Sequence, residues 1–207
     1  AEQAADILKF HAGEKGIELL LNIPSSLPRF AEVDPVRLKQ ILINLLSNAV
    51  KFTEVGEVEL KMSFEAIEND RGRFTFSVRD TGIGIKEEQK QKLFKAFSQA
   101  DSTTTRKFGG TGLGLIISNL LVEKMGGLIR FESTYGEGSI FYFSIDTRYK
   151  FGAKDTGKNE LALEKVLIVD DNANNRLILE HNFDRWNISY VSVDGGKTAL
   201  EALEEDH

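Results

Sequence analysis

Apolar positions in this chain change period several times, and each change marks an element. Asp34-Pro35 reads as a helix cap followed by proline at the first helical position, and Leu38, Ile41, Leu42, Leu45, Leu46 and Ala49 then recur at helical spacing. The spacing predicts a helix over 35–51. From Glu57 to Glu65 the pattern alternates, with Val58, Leu60, Met62 and Phe64 on one face and charged or polar residues on the other. After the turn-prone Asn69-Asp70-Arg71-Gly72 the alternation resumes through Phe74, Phe76 and Val78, predicting an antiparallel hairpin. Asp80 shares the parity of its inward face. A glycine-rich, polar stretch over about 100–112 has no period; helical spacing returns from Leu113 to Met125 and stops at Gly126-Gly127. Ile129 and Phe131, then Phe141, Phe143 and Ile145, flank Tyr135-Gly136-Glu137-Gly138 as a closing hairpin, and the first domain is expected to end near 147. Residues 148–164 read as a linker. Val166-Leu167-Ile168-Val169 then ends at Asp170-Asp171 and is followed by a helical stretch, a strand near 188–193 and another helix from about 196, the opening of a parallel α/β fold.

Three constellations carry candidate chemistry. Asn44, Asn48 and Lys51, at i, i+4 and i+7 of the predicted helix, fall within an arc of roughly 60°. A solvated polar face would explain them, but asparagine is a mediocre helix former, and hard oxygen ligands for Mg²⁺ beside a phosphate-binding cation give the pair a reason. Asp80, entering an apolar interior ahead of Thr81-Gly82-Ile83-Gly84-Ile85, needs a donor such as a purine amino group, and Gly82 and Gly84 would let backbone approach a flat ring; a simple strand-ending turn is the other reading. Gly109-Gly110-Thr111-Gly112-Leu113-Gly114-Leu115 opens a helix, where freed backbone N–H groups favour anions. It is neither the Rossmann fingerprint nor a Walker lysine loop. Arg106 and Lys107, just upstream, could reach a terminal phosphate or merely be solvated. Phe94 and Phe97 read as anchors of the loop's base.

NLLSNAVKFT from Asn44, DTGIGI from Asp80, LFKAFSQAD from Leu93 and GGTGLGL from Gly109 resemble, in order, the N box, first glycine box, F box and second glycine box of histidine kinases. The resemblance covers about residues 15–147. It implies the Bergerat α/β sandwich, a mixed sheet backed by helices, binding Mg²⁺-ATP beneath a lid over about 98–112. By motif, Asn48 would be the principal Mg²⁺ ligand with Asn44 nearby, and Lys51, followed by Phe52, would contact phosphate. Asp80, with Gly82 and Gly84, would take the adenine amino group, and Gly110, Thr111, Gly112, Leu113 and Gly114 would wrap the triphosphate, with Arg106 and Lys107 as further phosphate contacts. KVLIVDDNANNR from Lys165 and DGGKTALEAL from Asp194 resemble the start of a response-regulator receiver, a flavodoxin-like doubly wound fold, in which Asp170 and Asp171 would belong to an acidic Mg²⁺ pocket. Kinase followed by receiver is the layout of a hybrid histidine kinase, whose parent would be a homodimer. The hairpin presenting the phosphorylated histidine is expected to precede residue 1, leaving residues 1–14 as its tail, and 165–207 is expected to be only the N-terminal part of a receiver. His11 lacks the acidic neighbour and following Arg-Thr-Pro of an acceptor box, and His181 and His207 read as bystanders.

With 207 residues, 41% of them hydrophobic, the chain can build one sizeable core and a second small one. A net charge of −6, with basic and acidic residues interspersed, argues against a nucleic-acid surface. The lack of cysteine excludes disulfides and thiolate metal sites, and the default compartment is cytoplasmic; no apolar run approaches the ~20 residues of a membrane helix, although the parent could be anchored in an inner membrane. Competing readings are a clamp ATPase of the gyrase, mismatch-repair and heat-shock superfamily, a non-catalytic nucleotide-binding scaffold and an anti-sigma type serine kinase. The clamp ATPases usually place a glutamate general base where this chain has Asn44, and an amide cannot take a proton from water.

Overall fold

A computed structural model of the chain describes residues 1–24, 26–91, 93, 94, 113–152 and 165–205. Two compact units emerge, one formed by Ala1–Ile23 with Leu27–Phe151 and the other by Pro24–Ser26 with Gly152–His207. The first contains α1 (Glu2–Lys15), β1 (Ile17–Asn22), β2 (Phe30–Ala31), α2 (Pro35–Phe52), β3 (Gly56–Ala66), β4 (Arg71–Asp80), α3 (Glu87–Lys90), α4 (Gly114–Lys124), β5 (Arg130–Thr134) and β6 (Gly138–Lys150). Its strands form one mixed sheet in the order β1-β3-β4-β6, and both β5 and β2 pair with the outer edge of β6. Only β1 against β3 is parallel; the other pairings are antiparallel.

The alternation read from the sequence is the register of this sheet. Leu60 faces Val78 and then Phe141, Met62 faces Phe76 and Phe143, and Phe64 faces Phe74 and Ile145. These rows carry the core, against which α2 buries Ile41, Leu42, Leu45, Leu46, Ala49 and Val50. The buried Ala4, Ala5 and Ala12 of α1, small enough for close helix approach, pack into the same core with Leu8. Helix α2 starts where expected, because the Asp34 carboxylate accepts from Val36 N at 3.0 Å and Arg37 N at 3.1 Å, with Pro35 opening the first turn. The opposite sheet face is polar: Arg79 pairs with Glu57 and Glu59, Arg73 grips Asp146 with two bonds of 2.7 Å, and Thr75 bonds Ser144.

Some boundaries moved. The β3–β4 turn narrows to Asn69-Asp70, both left-handed (φ 59° and 57°), so Arg71 and Gly72, expected in the turn, already belong to the ladder. Strand β6 continues through Lys150, beyond the end expected near 147, because Tyr149 and Lys150 pair with Ala31 and Phe30 and Tyr149 packs against Phe64. Strand β1 had no sequence expectation at all.

The second unit contains β7 (Lys165–Val169), α5 (Ala173–Trp186), β8 (Ser189–Val193) and α6 (Gly196–Glu205), with β7 and β8 parallel from Lys165↔Ser189 to Val169↔Val193. Asn172 caps α5 by accepting from Asn174 N and Asn175 N, and Asn187 ends it in the left-handed region. Among the described residues no helix is long and apolar enough to cross a membrane.

Candidate functional site

Asp80 is the last residue of β4, flanked in register by Val58 and Ser139, and only 7% exposed. Its carboxylate accepts from the backbone N–H of Gly82, at 2.9 Å, and of Ser139. Burial pushes its pKa above the ordinary carboxylate value, against the opposing pull of those two amides and of Arg79. Two N–H donors leave a carboxylate with acceptor capacity unused. The group is therefore a rigid, poorly hydrated acceptor suited to an N–H donor of a ligand.

The loop after Asp80 is held by protein backbone from two sides. Ile83 N donates to the Phe52 carbonyl at the end of α2 at 3.2 Å, Gly136 N donates to the Ile83 carbonyl at 2.8 Å, and Ile85 N donates to Ser133 Oγ at 2.8 Å. The expected reason for the two glycines changes accordingly. A Cβ on Gly82 would stand 2.3 Å from the Phe52 carbonyl oxygen, and one on Gly84, which has φ 63°, would stand 2.0 Å from the Thr134 carbonyl oxygen. Both admit neighbouring backbone, whatever else lies against them. Thr81 locks the start of the loop, its hydroxyl accepting from Glu57 N at 3.0 Å.

Helix α2, whose Phe52 carbonyl meets this loop, carries Asn44, Asn48 and Lys51 half-buried. Asn44 is already tied across to α4: its Nδ2 donates to the buried Ser118 Oγ at 2.9 Å, and its Oδ1 lies 2.3 Å from where a Gly114 Cβ would be. Gly114 thus makes room for an asparagine side chain as well as opening a helix. Lys51 places its ammonium 4.9 Å from the Phe52 ring centre, and burial lowers its pKa. Leu113 is half-buried directly before α4, and Phe94 lies 6.0 Å from the Phe131 ring. Arg106, Lys107, Gly110, Thr111 and Gly112, with Phe97 and His207, lie outside the described residues.

Two residues at the site went unnoticed in the sequence. Ser139 donates to Asp80, and its hydroxyl also bonds Ser133 Oγ, at 3.0 Å; extending the hairpin register back from the Tyr135-Gly136 turn would have placed it there. Thr53, fully buried, turns its hydroxyl back to the Ala49 carbonyl at 2.8 Å, and no sequence pattern marks it.

In the second unit Asp170 directly follows β7, and its carboxylate accepts from Asn172 N at 2.9 Å and from Asn175 Nδ2, while Asp171 is exposed. Among the described residues no three His, Cys, Asp or Glu side chains are grouped to hold a metal. His11 is exposed on α1, edge-on to Phe10, and His181 is exposed on α5.

Residues 33–149, more than half the chain, match the family described as histidine kinase-, DNA gyrase B-, and HSP90-like ATPase. The signal transduction histidine-protein kinase BarA of Escherichia coli K12 is 44% identical over 145 residues, covering 70% of this chain and 16% of BarA. The sensor histidine kinase GacS of Pseudomonas protegens is 40% identical over 198 residues, 95% of this chain and 21% of GacS. The chain thus spans about a fifth or less of these curated relatives. Among solved structures, full-length ShkA in complex with AMPPNP aligns with 97% of this chain and 40% of its own at 33% identity and a TM-score of 0.72, and the catalytic domain of the histidine kinase ThkA aligns with 71% of this chain and 90% of its own at 27% identity and 0.53. The chain belongs to the histidine kinase-, DNA gyrase B- and HSP90-like ATPase family, and its first unit is an ATP-binding catalytic domain of the histidine-kinase branch.

Proposed function

We propose that this domain positions Mg²⁺-ATP for transfer of its γ-phosphoryl group to a histidine on a helical hairpin, from which the phosphoryl group passes by relay to a receiver aspartate. The observation that carries the adenine half of this reading is the buried, amide-held Asp80 carboxylate with acceptor capacity to spare. Adenine presents its amino group to Asp80, and Gly82, Gly84 and Phe52 fix the backbone around it. Asn48 and Asn44 supply amide oxygens on the phosphate side, with Lys51 as the cation, and Gly110, Thr111, Gly112, Leu113, Gly114, Arg106 and Lys107 complete the phosphate site. Mg²⁺ fits this donor set, because it favours one or two protein oxygens together with nucleotide phosphates and water over a carboxylate cage. When bound, it would neutralise charge on the β- and γ-phosphates.

Transfer is favoured over hydrolysis by Asn44. A clamp ATPase needs a base there to take a proton from water, whereas this amide has none to offer and its Nδ2 is spent on Ser118. Residues 1–14 are read as the tail of the hairpin, 15 to about 150 as the catalytic domain, since β6 carries it past the end expected near 147, the stretch from there to 164 as a linker and 165–207 as receiver sequence, in which Asp170 and Asp171 would contribute to a Mg²⁺ pocket. The parallel β7-α5-β8 order supports a doubly wound fold. The parent would be a homodimer with its catalytic part in the cytoplasm.

The test is radiolabelled ATP, with and without a separately supplied histidine-bearing hairpin from a relative. Acid-labile label should accumulate on the hairpin and not on this chain, because its own His11 lacks an acceptor's neighbours. Strong self-labelling lost in His11→Ala would overturn the assignment of the acceptor. Rapid phosphate release without transfer would favour the clamp ATPase.

A further inference from the structure

Helix α2 delivers Asn48, Lys51 and Phe52 to the site, so whatever fixes its last turn also fixes the site. A helix leaves its final carbonyls without intrahelical partners. Here the Phe52 carbonyl accepts from Ile83 N at 3.2 Å, and three of its neighbours converge on a single side chain: Lys15 Nζ donates to the carbonyls of Val50 at 2.7 Å, Lys51 at 3.1 Å and Thr53 at 3.1 Å. An ammonium has three donors, and all three are engaged at one helix end, where the macrodipole places partial negative charge. The lysine is itself anchored. Ala12, three residues before it, is buried, Gly16 after it turns the chain in the left-handed region (φ 67°, ψ 28°), and Ile17 is buried and paired with Gly56.

We propose that Lys15 is a positioning residue for the nucleotide site. Its ammonium holds the C-terminal turn of α2 in the one position from which the Phe52 carbonyl can receive Ile83 N and lie against Gly82, and Gly82 N in turn orients the Asp80 carboxylate. The chain of contacts runs from α1 to the adenine acceptor without passing through the phosphate loop. This inference rests on the reading of Asp80 as the adenine acceptor given above.

The test uses the full chain with Lys15→Met, Lys15→Gln and Lys15→Arg, measuring ADP and adenosine affinity by calorimetry alongside the melting temperature. The methionine variant, which keeps the stem and removes the donors, should bind both ligands at least threefold more weakly. Arginine, with its own N–H donors and charge, should stay within twofold of the original, and glutamine should fall between. The loss is expected for adenosine as well as for ADP, because the effect reaches the base end. A lowered melting temperature with unchanged affinity in the methionine variant would make Lys15 merely structural and overturn the proposal. If that variant does not fold, the glutamine and arginine variants decide, and equal affinities for those two overturn it as well. Failure of the unaltered chain to bind any adenine compound would instead refute the underlying assignment of Asp80.

Discussion

Asp80 shows what a buried carboxylate costs a fold. A carboxylate whose native pKa is raised binds its proton more tightly folded than unfolded, so stability falls as pH rises from the unfolded value through the native one, and at neutral pH the ionised group is a net burden. Asp80→Asn removes that burden while keeping shape. The variant without ligand should therefore melt no lower than the original at pH 7 and should lose the original's gain in stability on acidification through this window. Its affinity for ADP should nevertheless drop at least tenfold, ~1.4 kcal/mol, because an amide presents a competing donor to the adenine amino group. Calorimetry and thermal melts across pH read both effects. An Asn variant that is much less stable yet binds ADP normally would make Asp80 a structural residue.

Among the elements, those legible in advance were α2, from its cap and leucine stripe, α4, from its helical spacing, the β3–β4 and β5–β6 hairpins, from alternation around turn residues, and the strand-helix-strand-helix order of the second unit. Strand β1 was missed because Ile17-Glu18-Leu19-Leu20-Leu21-Asn22 alternates too little: it lies parallel to β3, and Leu20 is buried on the face opposite Ile17. The candidate site proposed here could be read in advance where chemistry forces a residue type, at Asp80 and the asparagines, and not where tertiary register decides, at Ser139, Thr53 and Lys15. Glycines divide along the same line. Gly84 combines a left-handed φ with a carbonyl at 2.0 Å from any added Cβ, whereas Gly13 sits in α1 with nothing within 4 Å. Gly84→Ala should thus break the grip of the β5–β6 turn on the loop and destabilise the first unit by several times the ~1 kcal/mol typical of a point mutation. Gly13→Ala should stabilise it by about 0.5–1 kcal/mol through helix entropy. Chemical denaturation followed by circular dichroism measures both, and a destabilised Gly13→Ala would contradict the open surroundings of that position.

At the level of the whole molecule, the two units differ sharply in how much core each can call its own. The first buries a continuous cluster from α1, α2 and the sheet, whereas in the second only Ile168 and Ala199 are buried apolar residues among those described, and Leu177, Trp186, Leu200 and Leu203 are exposed by half or more. Hydrophobic burial is the main term opposing chain entropy, so the second unit should be the less stable. The chain's single tryptophan, Trp186, belongs to that unit, beside Phe183, and makes it separately observable. In a urea titration the tryptophan signal should change at lower denaturant than the bulk of the circular dichroism, which the larger unit dominates. Adding ADP at a hundred times its dissociation constant should stabilise the later transition by about 2.7 kcal/mol, since a ligand that binds only the native first unit shifts only that equilibrium, and should leave the tryptophan midpoint in place. Two probes moving together, at one midpoint and by one amount, would show instead that the chain unfolds as a single cooperative body and that nucleotide binding is felt throughout it.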